Sequence, residues 1–188
     1  MNTFNETEVK QILQSSYMNQ NEARQRLEGM GYSYDNELST NENKVFHDAS
    51  GRASIVYRGT RPHIIKDLLS DWNIIKHTEG RNKRFQDAHE LEKKVHQKYG
   101  KAPVLFGDSL GGTLAMRVGQ AKGNRNEVYA HNPAINLNDM GKTVRAGTHI
   151  FRNVGDPVSI LYGLLRDPHG NIKHKKVKGA RKHRIVIN

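Results

Sequence analysis

Residues 103–116 have the sequence PVLFGDSLGGTLAM, and this stretch decides the fold. A short apolar run is followed by a Gly-x-Ser-x-Gly turn and then by residues that favour a helix, which is the order strand, tight turn, helix. The glycines on either side of Ser109 leave space for a backbone that such a turn strains. The pattern predicts a nucleophile elbow that projects the Ser109 hydroxyl clear of a β-sheet. The competing interpretation is a glycine-rich turn that merely joins a strand to a helix.

The helix after the turn is expected to stabilise an oxyanion beside Ser109. Its first N–H groups have no partner within the helix, and its N-terminal end carries a partial positive charge. The predicted first donor is the N–H of Leu110. A second donor is expected from the end of an earlier neighbouring strand, where Thr60 offers both an N–H and a hydroxyl. The tripeptide at 58–60 is otherwise explained as a structural turn.

A serine hydroxyl needs a histidine to accept its proton and a carboxylate to orient that histidine. In a hydrolase sheet the acid and then the histidine follow the serine along the chain, each just beyond a strand. Asp156, in a Gly-Asp-Pro turn, is the predicted acid; the alternative is a turn aspartate that bonds its own backbone. His183 is the predicted base, because the apolar run at 185–187 can anchor it against the core. His174 and His169 are the alternatives.

The composition is that of one domain with a modest core. The chain has 188 residues, 35% of them hydrophobic, and a mean hydropathy of -0.79, so the core must be concentrated in a few segments. It has no cysteine, which excludes disulfides, thiolate metal ligands and cysteine nucleophiles. Neither a metal nor a cofactor is expected, since no His, Asp and Glu cluster has ligand spacing. No signal peptide or transmembrane segment is recognisable, and an intracellular protein is favoured.

Strands and helices alternate along the chain. Apolar periodicity predicts helices at 5–28, 62–76 and 82–99, a β-hairpin at 44–58, and strands at 127–131 and 148–153. This alternation predicts an α/β fold in which a mostly parallel sheet is flanked by helices in a compact single domain.

Three parts of the chain are distinguished by their composition. A helical segment at 1–42 is expected to pack on the domain, 43–165 form the core, and 166–188 form a basic C-terminal segment that carries the candidate triad histidine. The apolar Ile, Leu and Trp side chains of the helix at 62–76 suit a mobile lid, although a helix packed permanently on the sheet is the plainer interpretation.

Positive charge is concentrated in the second half of the chain. The net charge is +11, and residues 101–188 contain 15 Lys and Arg against 5 Asp and Glu. Such a surface attracts the phosphates of an anionic membrane or of nucleic acid; the alternative is a solvated, solubilising tail. No aromatic residues are interleaved with the charges of the C-terminal segment, which makes nucleic-acid binding the less favoured of the two.

Five motifs occur in the order and spacing of a known family. They are RGT at 58–60, KDLLSDWNI at 66–74, GDSLGG at 107–112, NP at 132–133 and GDPV at 155–158. Together they resemble the class 3 lipase family, the fungal-lipase-like α/β-hydrolases, over about residues 43–160. The resemblance implies an α/β-hydrolase fold, with Ser109 as nucleophile, Asp156 as triad acid, and Thr60 with Leu110 as the oxyanion hole.

The chain departs from the pattern of this family in two places. Asp108 stands where the family usually has a histidine before the nucleophile. The segment after Asp156 is short, so the final strand and the loop that carries His183 are abbreviated. Family members are also often longer and secreted, so the size of the substrate does not transfer.

The resemblance implies a serine hydrolase that cleaves carboxylic esters of lipids, as triacylglycerol lipases and phospholipases A1 do. The basic second half favours an anionic phospholipid over a neutral lipid as substrate. The alternative is a catalytically inactive hydrolase-fold module whose basic half holds nucleic acid or an anionic membrane. A peptidase or thioesterase with the same triad is a third interpretation, because triad chemistry does not identify the acyl group.

Overall fold

The computed structural model describes residues 4–59, 79–121, 123–133, 141–154, 165–176 and 185. The helices of this described part are α1 (Glu6–Ser15), α2 (Gln20–Gly29), α3 (Glu79–Tyr99) and α4 (Leu110–Gly119). Its strands are β1 (Ser33–Tyr34), β2 (Asn43–His47), β3 (Ala53–Tyr57), β4 (Val104–Asp108), β5 (Val128–His131), β6 (Thr148–Val154) and β7 (Ile172–Lys176). None of the described helices is both long enough and apolar enough to cross a membrane.

The seven strands form one sheet in which their order in space is their order along the chain. The first three strands are antiparallel, and β2 and β3 form the predicted hairpin with Val45 opposite Ile55. From β3 to β7 all neighbours are parallel. The carboxyl ends of five strands therefore lie at the same edge of the sheet, and Ser109 follows the second of them. The mostly parallel sheet confirms the predicted α/β class.

Helices cover both faces of the sheet, because successive residues of each buried strand point to opposite sides. On one side the sheet packs against α3 and α4; this core contains Val45, Ile55, Tyr57, Leu105, Val128, Ala130, Ile150, Ala88, Val95, Leu114 and Val118. On the other side it packs against α1 and α2; this core contains Phe46, Val56, Phe106, Tyr129, Phe151, Val9, Ile12, Leu13, Ala23 and Leu27. The apolar residues of this hydrophilic chain are thus concentrated on the strands and on one stripe of each helix.

The single helix predicted over residues 5–28 is wrong: the chain forms α1 and α2 with a break between them. The hydroxyls of Ser15 and Ser16 donate to the carbonyls of Ile12 and Leu13 at 2.6 and 2.8 Å, which competes with continuation of the helix. A new helix then begins at a capping box formed by Asn19 and the residue three positions later. The break leaves Tyr17 in the connection between the two helices.

Part of the basic C-terminal segment belongs to the sheet. Residues 172–176 form β7, parallel to β6, although the sequence indicates only a charged segment there. Lys173 and Lys175 lie within 2.7 and 3.5 Å of the carboxylate of Glu6 on α1. These contacts explain how a strand so rich in lysine stays on the sheet. The predicted helix at 62–76 lies outside the described residues.

Lys44 on β2 is buried, and its ammonium donates to the carbonyls of Thr40 and Asn41 at 2.8 and 3.1 Å. Burial, followed by repulsion from Arg58, lowers the pKa of Lys44 from its ordinary 10.5 to about 8. Between these two values the unfolded chain binds more protons at this lysine than the folded chain does. The unfavourable contribution of Lys44 to stability therefore diminishes as the pH rises through this range.

We expect the free energy of unfolding of the wild type to rise by about 2 kcal/mol between pH 8 and pH 10, relative to that of Lys44→Met. Because the ionisation of tyrosines affects both proteins alike, its contribution cancels in the difference between their free energies of unfolding. Urea denaturation at several pH values measures the difference. A difference that does not change with pH would contradict the lowered pKa.

Candidate active site

The serine turn lies at the carboxyl edge of the sheet, between the last residue of β4 and the first of α4. Ser109 has φ 53° and ψ −119°, a conformation that costs a non-glycine residue about 1–3 kcal/mol. Its N–H donates to the carbonyl of His131 on β5 at 2.8 Å, and its carbonyl accepts from the N–H of Thr113 at 3.1 Å. Strand, strained turn and helix thus follow in the predicted order, and hydrogen bonds on both sides hold the turn.

Glycines allow three stretches of backbone to meet at this turn. A methyl group on Gly107 would lie 2.5 Å from the backbone nitrogen of Gly112, and one on Gly111 would lie 2.8 Å from the carbonyl carbon of Arg58. A methyl group on Gly112 would lie 3.1 Å from the Pro133 ring. Larger residues at 107 and 111 would therefore collide with backbone. The first turn of α4 consequently packs directly against the ends of both β3 and β5.

Ser109 is recessed rather than projecting. The sequence predicts a hydroxyl held clear of the sheet, but the residue is only 4% exposed. The same close packing that strains the turn also encloses it.

One of the two predicted oxyanion donors lies in the described part of the chain, directly after the turn. Leu110 is the first residue of α4, so its N–H is one of those without a partner inside the helix. Thr60 lies outside the described residues. Gly59, which precedes it, is packed so tightly against β4 that a methyl group there would be 2.5 Å from the carbonyl oxygen of Asp108. The end of β3 therefore approaches the serine turn, as the prediction for Thr60 requires.

Asp108 forms a short hydrogen-bond network beneath the turn. Its Oδ1 lies 2.6 Å from Nδ1 of His131, and its Oδ2 accepts from the Tyr17 hydroxyl at 2.5 Å. The side chains of Asp108 and His131 are 4% and 0% exposed. The two carboxylate oxygens of Asp108 thus have separate partners, the imidazole of His131 and the phenol of Tyr17. Nε2 of the same ring is buried and has no hydrogen-bond partner among the described residues.

The structure describes only two of the remaining triad candidates, His174 and His169. Asp156 and His183 lie outside the described residues; β6 ends at Val154, two positions before Asp156 and at the edge of the sheet that carries Ser109. His174 is exposed on β7, three strands from β4, which corresponds to roughly 14 Å at the usual strand spacing. His169 lines a cavity at the amino ends of β5 and β6, which is the end of the sheet opposite to Ser109.

Sequence reasoning missed Tyr17 and His131. His131 had a recognisable signal: it ends a buried strand directly after the one that carries the serine, and the carboxyl ends of parallel neighbours meet at one edge. Asp108 and His131 are register partners, so two titratable residues at the ends of these strands must face each other. Tyr17 had no such signal, because its position depends on the break between α1 and α2.

Two solved structures are similar to this chain. The Lip2 lipase of Yarrowia lipolytica aligns with a TM-score of 0.58 and 14% identity over 81% of this chain and 73% of its own. A predicted CIB-like hydrolase from Thermoplasma acidophilum aligns with a TM-score of 0.45 and 15% identity over 82% of this chain and 93% of its own. No protein-family model and no curated protein matches the sequence. The likeness to Lip2 shows the fold alone: the chain has an α/β-hydrolase-like fold.

Proposed function

We propose that this domain is a serine hydrolase of the class 3 lipase type that cleaves carboxylic esters of lipids. The observation that carries the proposal is the backbone of Ser109, which keeps φ 53° between a buried strand and the start of a helix. Strain of this kind is maintained only where the surroundings enforce it, and it concentrates at functional sites. An ordinary strand-to-helix connection does not require it.

The proposed reaction is acyl transfer in two steps. Oγ of Ser109 attacks the ester carbonyl while the imidazole of His183, oriented by Asp156, accepts the hydroxyl proton. The N–H of Leu110 and the donors of Thr60 stabilise the tetrahedral oxyanion. The C–O bond then breaks, the alcohol leaves with the proton from the imidazole, and water repeats the sequence to release the acid and regenerate Ser109.

An anionic phospholipid is the proposed substrate. Two arginines near the end of β3 support this. Arg58 directly follows the strand, and the guanidinium of Arg84 donates to the backbone carbonyl of Arg58 at 2.9 Å. Both pair at 3.6–3.7 Å with Glu42, whose side chain is 59% exposed, so one carboxylate is shared by two cations. Lys176, the exposed last residue of β7, adds further positive charge at the same carboxyl edge of the sheet. A cationic surface of this kind attracts a phosphate headgroup.

A fluorophosphonate probe is expected to label the wild type and not Ser109→Ala, because the probe reacts with an activated serine hydroxyl. Ser50→Ala is the matched control: it removes an exposed serine from the turn between β2 and β3 and should keep the label. Intact-protein mass spectrometry measures the labelling, and circular dichroism checks that each variant is folded. A folded wild type that remains unlabelled would contradict the proposal and favour the non-enzymatic binding module.

Replacement of the base should abolish turnover without affecting the fold. We expect His183→Ala to lower kcat on a p-nitrophenyl ester by about a thousandfold or more, since the hydroxyl proton then has no acceptor. His174→Ala should stay within about twofold of the wild type, because its ring is exposed on β7. The reverse result, an inactive His174 variant and an active His183 variant, would show that the base is misassigned.

The rate of hydrolysis of anionic vesicles should fall as the salt concentration rises, because the Debye screening length shortens from about 10 Å at 0.1 M to about 3 Å at 1 M salt. We expect faster release of fatty acid from phosphatidylglycerol vesicles than from phosphatidylcholine vesicles at low salt, and a smaller ratio at 1 M NaCl. Lys176→Gln on β7 should lower the ratio of the two rates more than Lys93→Gln on α3. Equal rates on both vesicles would overturn the proposed preference.

A further inference from the structure

Two buried polar side chains lie beneath the serine turn, and the proposed reaction does not use either. Asp108 and His131 end adjacent strands on the face that packs against α1 and α2, two positions beyond Phe106 and Tyr129. Below them that core is apolar and aromatic. Burial of a carboxylate costs free energy unless it is well bonded, so its presence beside Ser109 requires a structural or functional reason.

The third member of the network comes from a distant part of the chain. Tyr17 lies in the connection between α1 and α2, 91 positions before Asp108, and its phenol is bonded to the carboxylate oxygen that His131 leaves open. Burial, followed by the charge of Asp108, raises the pKa of the Tyr17 phenol far above its ordinary value. The phenol therefore keeps its proton and remains a donor throughout the pH range in which a hydrolase is assayed.

Tyr17 also contacts the other half of the site. The nearest atom to a methyl group placed on Gly59 would be the Tyr17 hydroxyl oxygen, ahead even of the Asp108 carbonyl. Gly59 directly precedes Thr60, the proposed oxyanion donor, and Asp108 directly precedes the nucleophile. A single phenol thus lies between the backbone that carries the serine and the backbone that carries the second oxyanion donor.

We propose that Tyr17 is a positioning residue, whose phenol holds the Asp108 carboxylate and the Gly59 backbone so that Ser109 and the oxyanion donors keep the geometry required for attack. This role rests on the proposed serine-hydrolase function. With donors on both of its oxygens, the Asp108 side chain has little freedom to rotate. Its backbone is therefore fixed one residue before the strained serine, and catalytic groups lose activity when they shift by as little as 1 Å.

The inference is tested with Tyr17→Phe, which removes one hydroxyl and keeps the ring. We expect the second-order rate of fluorophosphonate labelling and kcat on a p-nitrophenyl ester to fall by about tenfold or more, with KM within about twofold. Hydrogen exchange of the peptide that covers residues 104–113 should accelerate by a similar factor, whereas the hairpin at 43–57 should be unchanged. The exchange readout requires no catalytic activity.

Tyr99→Phe is the matched control. The Tyr99 hydroxyl donates to the carboxylate of Asp35 at 2.8 Å, so the variant loses the same kind of hydrogen bond at a distance from the serine turn. Both variants should lower the midpoint of thermal unfolding by similar amounts, and only Tyr17→Phe should change labelling, kcat and exchange at 104–113. The inference is overturned if Tyr17→Phe is labelled at the rate of the wild type, or if its exchange at 104–113 is no faster than that of Tyr99→Phe.

The two proposals fail in distinguishable ways. A folded wild type that the probe does not label contradicts the serine-hydrolase function, and exchange at 104–113 still decides whether Tyr17 holds the turn. A wild type that is labelled, together with a Tyr17→Phe variant labelled at the same rate, leaves the hydrolase function intact and removes the positioning role. A second variant, Asp108→Asn, should reproduce the loss of labelling, because an amide keeps the shape of the side chain and loses its charge.

Discussion

The strained backbone of Ser109 depends on the close approach of three strand ends. The turn is enclosed by the ends of β3 and β5 and by the first turn of α4, with no room for side chains at Gly107 and Gly111. The N–H of Ser109 is bonded to β5, so the strain of about 1–3 kcal/mol is offset by pairing and packing that a relaxed turn would lose. The whole candidate site is organised around this contact of backbone with backbone.

Local patterns were sufficient to predict the central elements. The apolar run at 104–106, the glycines around Ser109 and the helix formers that follow specify β4, the turn and α4 without help from distant residues, and the hairpin of β2 and β3 is specified in the same way. Competition between helix-forming and helix-ending signals within one segment was harder to predict. Ser15, Ser16 and the capping box at Asn19 interrupt an apolar periodicity that alone predicts one continuous helix.

Contacts between residues far apart in the chain could not be predicted from the sequence. The partner of Asp108 on β5 follows from the parallel register, whereas the bond to Tyr17 joins positions 91 apart and depends on how α1 and α2 lie on the sheet. The lysine-rich residues 172–176 carry too little apolar character to predict a strand, and their place on the sheet edge is supported by Glu6 of α1. The depth of Ser109 is likewise a property of packing. The predictions for Thr60, Asp156 and His183 concern residues outside the described part of the chain, and they stay predictions.

The agreement between chain order and spatial order has a consequence for how the domain assembles. Among the described strands, none has to be inserted between two that are already paired, so this sheet can grow by addition at one side while the polypeptide leaves the ribosome. The serine turn cannot reach its final geometry when β4 and α4 emerge, because the carbonyl that accepts from the Ser109 N–H belongs to His131 on β5. A nascent chain truncated before residue 128 would therefore carry Ser109 without the carbonyl of His131 that binds its N–H, so the strained turn forms only after much of the sheet has formed.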